Sequence, residues 1–202
     1  MAKKAVILLH GVGSAGNDLK PLAAFWAQSF PDTLFITPDA PSRFDQGGGY
    51  QWFSVTGITE QSRPARIVAA RSGFDEKIQQ ILDAYSLDPA ADKIILAGFS
   101  QGAIMALDAL VSSRFPLAGV IAFSGRLASP EPFADTRATK VMLIHGKNDL
   151  VIPWTESEKA AAQLTAAGFD VQTRFEEGAG HTITPTGARY SAGFIAECLM
   201  SD

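Results

Sequence analysis

The sequence predicts an α/β fold in which one mostly parallel central sheet is flanked by helices. Three observations point there. Short apolar runs alternate with segments of helical periodicity, the pattern of repeated βα units joined by right-handed crossovers. The middle runs are apolar without interruption, as parallel strands covered on both faces are. With 202 residues, 47% of them hydrophobic and 19% charged, the chain can form one sizeable core and is short for two domains.

The strand candidates are "AVILL" (5–9), "TLFIT" (33–37), "KIILAG" (93–98), "AGVIAF" (118–123), "KVMLIH" (140–145) and "VQTRF" (171–175). The last one alternates, with Val171, Thr173 and Phe175 on one side, and is expected near an edge. Helices fall between them. The segment 18–30 has Asp18 as N-cap, and 64–85 carries Ile67, Phe74, Ile78, Ile81, Leu82 and Tyr85 at helical spacing. The segment 101–112 is apolar nearly all round, hence buried. A helix over 154–168 ends at Gly168, and one over 186–199 presents Tyr190, Phe194, Ile195 and Leu199 as one stripe. There is no internal repeat or low-complexity tract.

One segment breaks this rhythm. Residues 38–66, "PDAPSRFDQGGGYQWFSVTGITEQSRPAR", are too long and too rich in Gly, Pro and aromatics for a plain connection. They leave the carboxyl end of the second strand, where parallel sheets form their ligand crevices. The segment is expected to face substrate, with Gly47, Gly48 and Gly49 as a hinge.

Several classes of function are disfavoured at once. A formal net charge of −4 with no basic stripe argues against nucleic acid and anionic membrane surfaces. No apolar run approaches the roughly 18 to 20 residues of a membrane span. The start, "MAKKAVILLHG", has too short an apolar stretch for a signal peptide. The lone cysteine, Cys198, has no internal partner, so a reducing cytoplasm is the expectation, with Cys198 packed on the last helix. Oligomeric state is not legible.

Chemistry enters at "AVILLHGVGSAG" (5–16). Glycines at 11, 13 and 16 satisfy G-x-G-x-x-G after a strand, a dinucleotide fingerprint, with Asp39 placed to bind a ribose. The same residues form an H-G-x-G turn that could present a backbone N–H to an oxyanion. The neighbours decide. "GFSQG" (98–102) is a G-x-S-x-G between a strand and a buried helix, a turn so sharp that side chains at 98 and 102 would clash. It projects the Ser100 hydroxyl at a helix N-terminus, where the dipole favours negative charge. Ser124 also follows a strand, but Ala122 and Arg126 flank it where glycines would be needed.

A serine needs a base, and in this strand–serine–helix arrangement the order along the chain is nucleophile, acid, histidine. His181, in "EEGAGHTI", follows Ser100 on a glycine-flexed loop that can swing an imidazole over the turn. His10 reads as a hydrogen-bonding support of the first glycine turn and His145 as a satisfied structural histidine. Asp149, in "HGKNDLVIP", lies just past the fifth strand and is the preferred acid. Asp108 rides on the helix behind Ser100, Asp135 precedes its strand, and Glu176 and Glu177 are read as facing solvent.

Together, "LLHGVGSAG", "GFSQGA", "HGKNDLVIP" and "GAGHTI" resemble the small carboxylesterase/phospholipase branch of the α/β-hydrolases, which includes acyl-protein thioesterases. The resemblance spans nearly the whole chain and implies a minimal single-domain α/β-hydrolase over 1–202, without the two leading strands of larger members. It makes the first glycine loop an oxyanion turn, pairing Val12 N–H with Gln101 N–H. "YQWFSV" (50–55) resembles the family's tryptophan loop, with Ser54 where an acidic residue is common, and "SGRL" (124–127) resembles a segment lining the acyl pocket.

The expected reaction is acyl transfer to water on a small-molecule ester or thioester. Ser100 attacks the carbonyl, neutral His181 takes its proton, and Asp149 orients the imidazole. No metal or organic cofactor is expected. Trp52, Phe53, Leu127, Ile152 and Trp154 are candidates to wall an acyl slot, or are plain packing. Without a long apolar lid, short to medium acyl chains are expected rather than bilayer lipids. The two rivals are a nicotinamide-dependent oxidoreductase using the 11–16 loop and a hydrolase fold turned non-catalytic binding protein.

Overall fold

The computed structural model describes residues 2–134 and 139–200; Asp135, one of the weighed acids, lies outside them. Six strands form one sheet; from edge to edge they start at Leu34, Lys4, Lys93, Gly119, Lys140 and Asp170. They are β1 (Lys4–Leu9), β2 (Leu34–Ile36), β5 (Lys93–Phe99), β6 (Gly119–Phe123), β7 (Lys140–Gly146) and β8 (Asp170–Glu176), and every pairing is parallel. Among the described residues four α-helices lie between them, α1 (Lys20–Ala27), α2 (Arg63–Tyr85), α3 (Gln101–Val111) and α4 (Thr155–Ala166), and α5 (Pro185–Met200) follows β8.

The alternation of each strand feeds two cores. Ala5, Ile7 and Leu9 of β1 pack with α2, α3 and α4, whereas Val6 and Leu8 face α1 and α5. On the second face Trp26 is fully buried, and its indole N–H donates to the Ala188 carbonyl at 2.9 Å, tying α1 to α5. Every residue of α3 is buried, as its all-round apolarity predicts, including Asp108. That carboxylate is held by Arg71 through two bonds of 2.9 and 2.8 Å, by Arg114 at 2.9 Å and by Ser129 at 2.7 Å. Burial pushes its pKa up, but the hydrogen bonds from Arg71 and Ser129 and the two guanidinium charges outweigh it, leaving the carboxyl below its ordinary range.

Three local expectations change. Asp18 does not cap α1; it sits in a short 3-10 turn (Gly16–Leu19) and accepts from Ser14 Oγ at 2.6 Å and Ala15 N–H at 3.2 Å. β8 is an edge strand, but its one-sided pattern fails at Thr173, which is exposed while Val171 and Phe175 are half-buried. The 38–66 segment contains a small antiparallel hairpin, β3 (Ser42–Arg43) with β4 (Tyr50–Gln51). Of the three glycines 47–49, Gly49 is held tightly in place. Gly49 has φ +83°, and a Cβ there would meet the Gly13 carbonyl oxygen at 2.4 Å, so the hairpin is pressed onto the first glycine turn. Bonds from Gly13 N–H to Tyr50 O and from Tyr50 N–H to Ser14 O, both 2.8 Å, fasten it there. Among the described residues no helix is long and apolar enough to cross a membrane.

Candidate active site

β5 ends at Phe99 and α3 begins at Gln101, so Ser100 alone turns the chain from strand to helix. It does so at φ 54° and ψ −117°, a strained conformation for a residue with a side chain. The flanking glycines permit it in different ways. A Cβ on Gly98 would lie 2.3 Å from the Gly102 carbonyl oxygen, across the turn as expected, whereas one on Gly102 would lie 2.0 Å from the Leu9 carbonyl oxygen of β1. The serine is thus wedged against the neighbouring strand as well as against itself.

His181 and Asp149 meet at this turn. Ser100 Oγ is 3.0 Å from His181 Nε2, and His181 Nδ1 is 2.7 Å from Asp149 Oδ2. The histidine loop is pinned rather than free to swing: Asn148 N–H donates to the Ala179 carbonyl at 2.8 Å, and the His181 ring lies 4.9 Å from that of Phe99. Asp149 Oδ1 accepts the Val151 and Ile152 N–H groups at 2.8 and 2.9 Å. Burial pushes its carboxyl up, but the bonds from His181 and these two amides prevail and hold it below the ordinary carboxylate value.

His145 stands behind the acid and is fully buried. Its Nε2–H faces the Ile152 carbonyl at 2.8 Å and Asp149 Oδ2 at 3.1 Å, and its Nδ1 accepts from the Ser157 hydroxyl at 2.6 Å. A satisfied histidine was expected here; its bond to the acid was not. His10 supports the other side of the site, donating from Nδ1 to the Gly11 carbonyl at 2.7 Å and accepting the Ala40 N–H on Nε2 at 2.9 Å.

Burial lowers the pKa of both His10 and His145 below the ordinary histidine value. The unfolded chain therefore takes up more protons than the folded one once the pH drops below about 6.5. Stability is fully present above that value and falls as the pH descends, by at most about 1.4 kcal/mol per pH unit for each histidine. Urea midpoints measured at pH 7.5, 6.5 and 5.5, chosen to span roughly a unit on either side, should fall only between the last two. A flat series would show that these imidazoles take up protons as readily in the folded protein as in the unfolded chain.

As the first residue of α3, Gln101 has a backbone N–H with no acceptor inside its helix. Val12 N–H meets no protein acceptor among the described residues. The Gln101 side chain has a task that sequence reading missed. Its Oε1 accepts Trp52 N–H and its Nε2 donates to the Phe53 carbonyl, both at 2.7 Å, so it bonds the tryptophan loop as a neighbouring strand would.

The dinucleotide reading of the first loop fails on space. Asp39 Oδ1 accepts the Gly16 N–H at 2.8 Å, so the residue weighed as a ribose ligand is used within the loop. The second glycine, Gly13, is where the backbone would approach a pyrophosphate; its N–H is taken by the Tyr50 carbonyl, and the Phe44 ring would lie 3.2 Å from a Cβ there, which leaves no cradle. The other weighed residues also stand aside. Ser124 is 1% exposed and Asp108 is engaged by its arginines. Glu176 accepts from Thr184 Oγ at 2.6 Å, and Glu177 pairs with Lys147.

Of the pocket candidates, Trp52, Phe53, Leu127 and Ile152 join the α2–α4 core. Trp52 is 3% exposed, donates its indole N–H to the His10 carbonyl at 2.9 Å and packs on Phe74 at 5.5 Å between ring centres. Trp154 is placed elsewhere, its ring 5.3 Å from Phe175 and covered by Lys147.

A parallel sheet with a strained serine between strand and helix, bonded to a histidine and a buried acid, defines the α/β-hydrolase class. The phospholipase/carboxylesterase family model matches residues 1–199, and the chain belongs to that family. It is 37% identical over 182 residues to esterase YpfH of Escherichia coli, covering 90% of this chain and 77% of that protein. Acyl-protein thioesterase 1 of Gibberella zeae is 29% identical over 200 residues, covering 89% of this chain and 84% of that protein. The crystal structure of esterase PE8 superposes with a TM-score of 0.87 at 39% identity, covering 98% and 94% of the two chains. The protein is a serine hydrolase acting on carboxylic esters or thioesters.

Proposed function

We propose that Ser100, His181 and Asp149 form the catalytic triad and that the chain works as one α/β-hydrolase domain over 1–202. The observation that carries this reading is the continuous bond chain, 3.0 Å from Ser100 Oγ to His181 Nε2 and 2.7 Å from His181 Nδ1 to Asp149 Oδ2. Ser100 Oγ adds to the carbonyl carbon as its proton passes to His181 Nε2. The Val12 and Gln101 N–H groups receive the oxyanion, each such donor contributing typically about 3 to 4 kcal/mol. The tetrahedral species collapses, His181 protonates the leaving alcohol or thiol, and an acyl-enzyme remains. Water then adds with His181 as base, and the carboxylic acid departs. This sequence requires no metal or organic cofactor.

The substrates are small esters or thioesters with short to medium acyl chains. Phe53 and Ile152, at 8% and 6% exposure, fill the core on this side of the sheet, which supports a shallow acyl slot. Residues beyond the fixed hairpin, up to 66, face that slot. The negative net charge supports a protein without nucleic-acid partners, and a lone buried Cys198 suits the cytoplasm.

A fluorophosphonate probe should label the protein stoichiometrically, with the adduct mapping to Ser100. Ser100→Ala should lose both labelling and ester hydrolysis while remaining folded. Label on another serine would refute the assignment.

A further inference from the structure

Not all of the cationic side chains around the active site are accounted for by the fold. Among the described arginines, only Arg63 and Arg126 have neither a side-chain hydrogen bond, an ion pair nor a ring contact; Arg43, Arg66, Arg71, Arg114, Arg174 and Arg189 each have one. For a fully exposed arginine that would mean little, since water satisfies it. Arg63 and Arg126 are both half-buried, and Arg126 is the one that lies just past a strand of the sheet.

Its place in the fold is fixed by its neighbours. The Phe123 carbonyl at the end of β6 accepts the Ser100 N–H at 2.9 Å, so the chain leaves β6 directly beside the nucleophile. Ser124 N–H then bonds the Ile144 carbonyl of β7 at 2.8 Å. A Cβ on Gly125 would lie 2.6 Å from Ala103 Cβ, which holds the segment against the first turn of α3. Arg126 follows at once, and Leu127 joins the core beside it.

The charges that act on Arg126 come from both sides of this position. They are Glu60 in the turn before α2, Arg63 at its first residue, and Glu156 in the first turn of α4. Burial lowers the guanidinium pKa from its ordinary value and Arg63 adds repulsion, which Glu156 and Glu60 oppose. Neither carboxylate forms an ion pair with it among the described residues. Arginine nonetheless stays charged in proteins. A half-buried, unpaired guanidinium pushed by a second cation has unmet demand for an anion.

We propose that Arg126 forms an anion-binding subsite beside Ser100, which takes a carboxylate carried by the ester substrate. The planar fork of a guanidinium matches a carboxylate through two parallel N–H bonds. The start of three helices at the same end of the sheet adds favourable potential for negative charge. This inference rests on Ser100 being the nucleophile. The carboxylate can belong to the acyl part, as in a half-ester of a dicarboxylic acid, or to the leaving group.

Two substrate pairs separate these sources. 4-Nitrophenyl hydrogen succinate and 4-nitrophenyl butyrate share a chain length and differ in acyl charge. 4-Acetoxybenzoate and phenyl acetate differ in leaving-group charge. Arg126→Met should lower kcat/KM for the charged member of one pair by about tenfold or more. Neutral esters should change by several-fold less than charged ones, and circular dichroism with a urea midpoint near wild type reports that the variant is folded. Arg126→Lys should recover part of the loss, because it restores charge without the fork. Added salt should narrow the wild-type preference and leave the Met variant unaffected. Equal change for charged and neutral members of both pairs would overturn the subsite. Hydrolysis of neutral butyrate surviving in Ser100→Ala would instead overturn the nucleophile assignment, so the two failures are distinguishable.

Discussion

Asp149→Asn should cut kcat by up to about 10⁴, the size of loss the same substitution causes in the serine-protease triad. The reason lies in how the carboxylate is surrounded. Oδ2 accepts from both His181 and His145, and Oδ1 accepts two backbone amides. An asparagine can satisfy those amides with its carbonyl, so the loop keeps its shape. Its NH₂ group then points at two N–H donors and accepts from neither. His181 must turn its proton away from the acid, and the tautomer that receives the serine proton is lost. Steady-state kinetics on a nitrophenyl ester, with circular dichroism to verify the fold, measure the effect. A variant keeping most of its activity would mean that a different acid orients His181.

Trp52→Ala should slow every ester together, from acetyl to octanoyl, and lower stability by about 3 to 5 kcal/mol. The sequence alone suggests another outcome, because a tryptophan in a long loop at the catalytic end reads as a wall for longer acyl chains. Burial to 3% exposure, packing on Phe74 and the indole bond to the His10 carbonyl make it a fastener of the first glycine turn. Removing it leaves a cavity and frees the turn that carries Val12. Values of kcat/KM across the ester series, with urea unfolding alongside, test this. Loss confined to the longer chains would return Trp52 to the acyl pocket.

What was legible in the sequence follows from how local each signal is. All six sheet strands and all five helices stand within a few residues of their expected bounds, because continuous apolar runs and helical stripes are local patterns. Ser100 was legible for the same reason: the glycines at 98 and 102 are demanded by contacts within a few residues, or with the adjacent strand. Chain order then separated His181 and Asp149 from their rivals. The supports around them were not legible. Gln101 grips a loop 48 and 49 residues away, and Arg71 reaches an aspartate 37 residues away, distances over which no periodicity operates. The β3–β4 hairpin is too short to leave an alternation, and the φ of +51° at Ser124 has no glycine to announce it.

The grip of Gln101 on Trp52 and Phe53 also divides the 38–66 segment for anyone reshaping substrate scope. From 49 to 53 the backbone is stapled to the first glycine turn and to the start of α3, so an insertion there would drag the nucleophile and its oxyanion donors with it. Past Ser54 the bonds are mainly to neighbours within the segment, among Thr56, Thr59 and Ser62, and the chain is largely exposed. Within it Val55 and Ile58 pack against the core and Gly57 has φ +62°, so the freedom to lengthen or randomise lies at Thr56 and at 59–61. Diversity placed at Thr56 and at 59–61 should therefore yield folded libraries with varied specificity, and diversity placed at 49–53 should yield inactive ones.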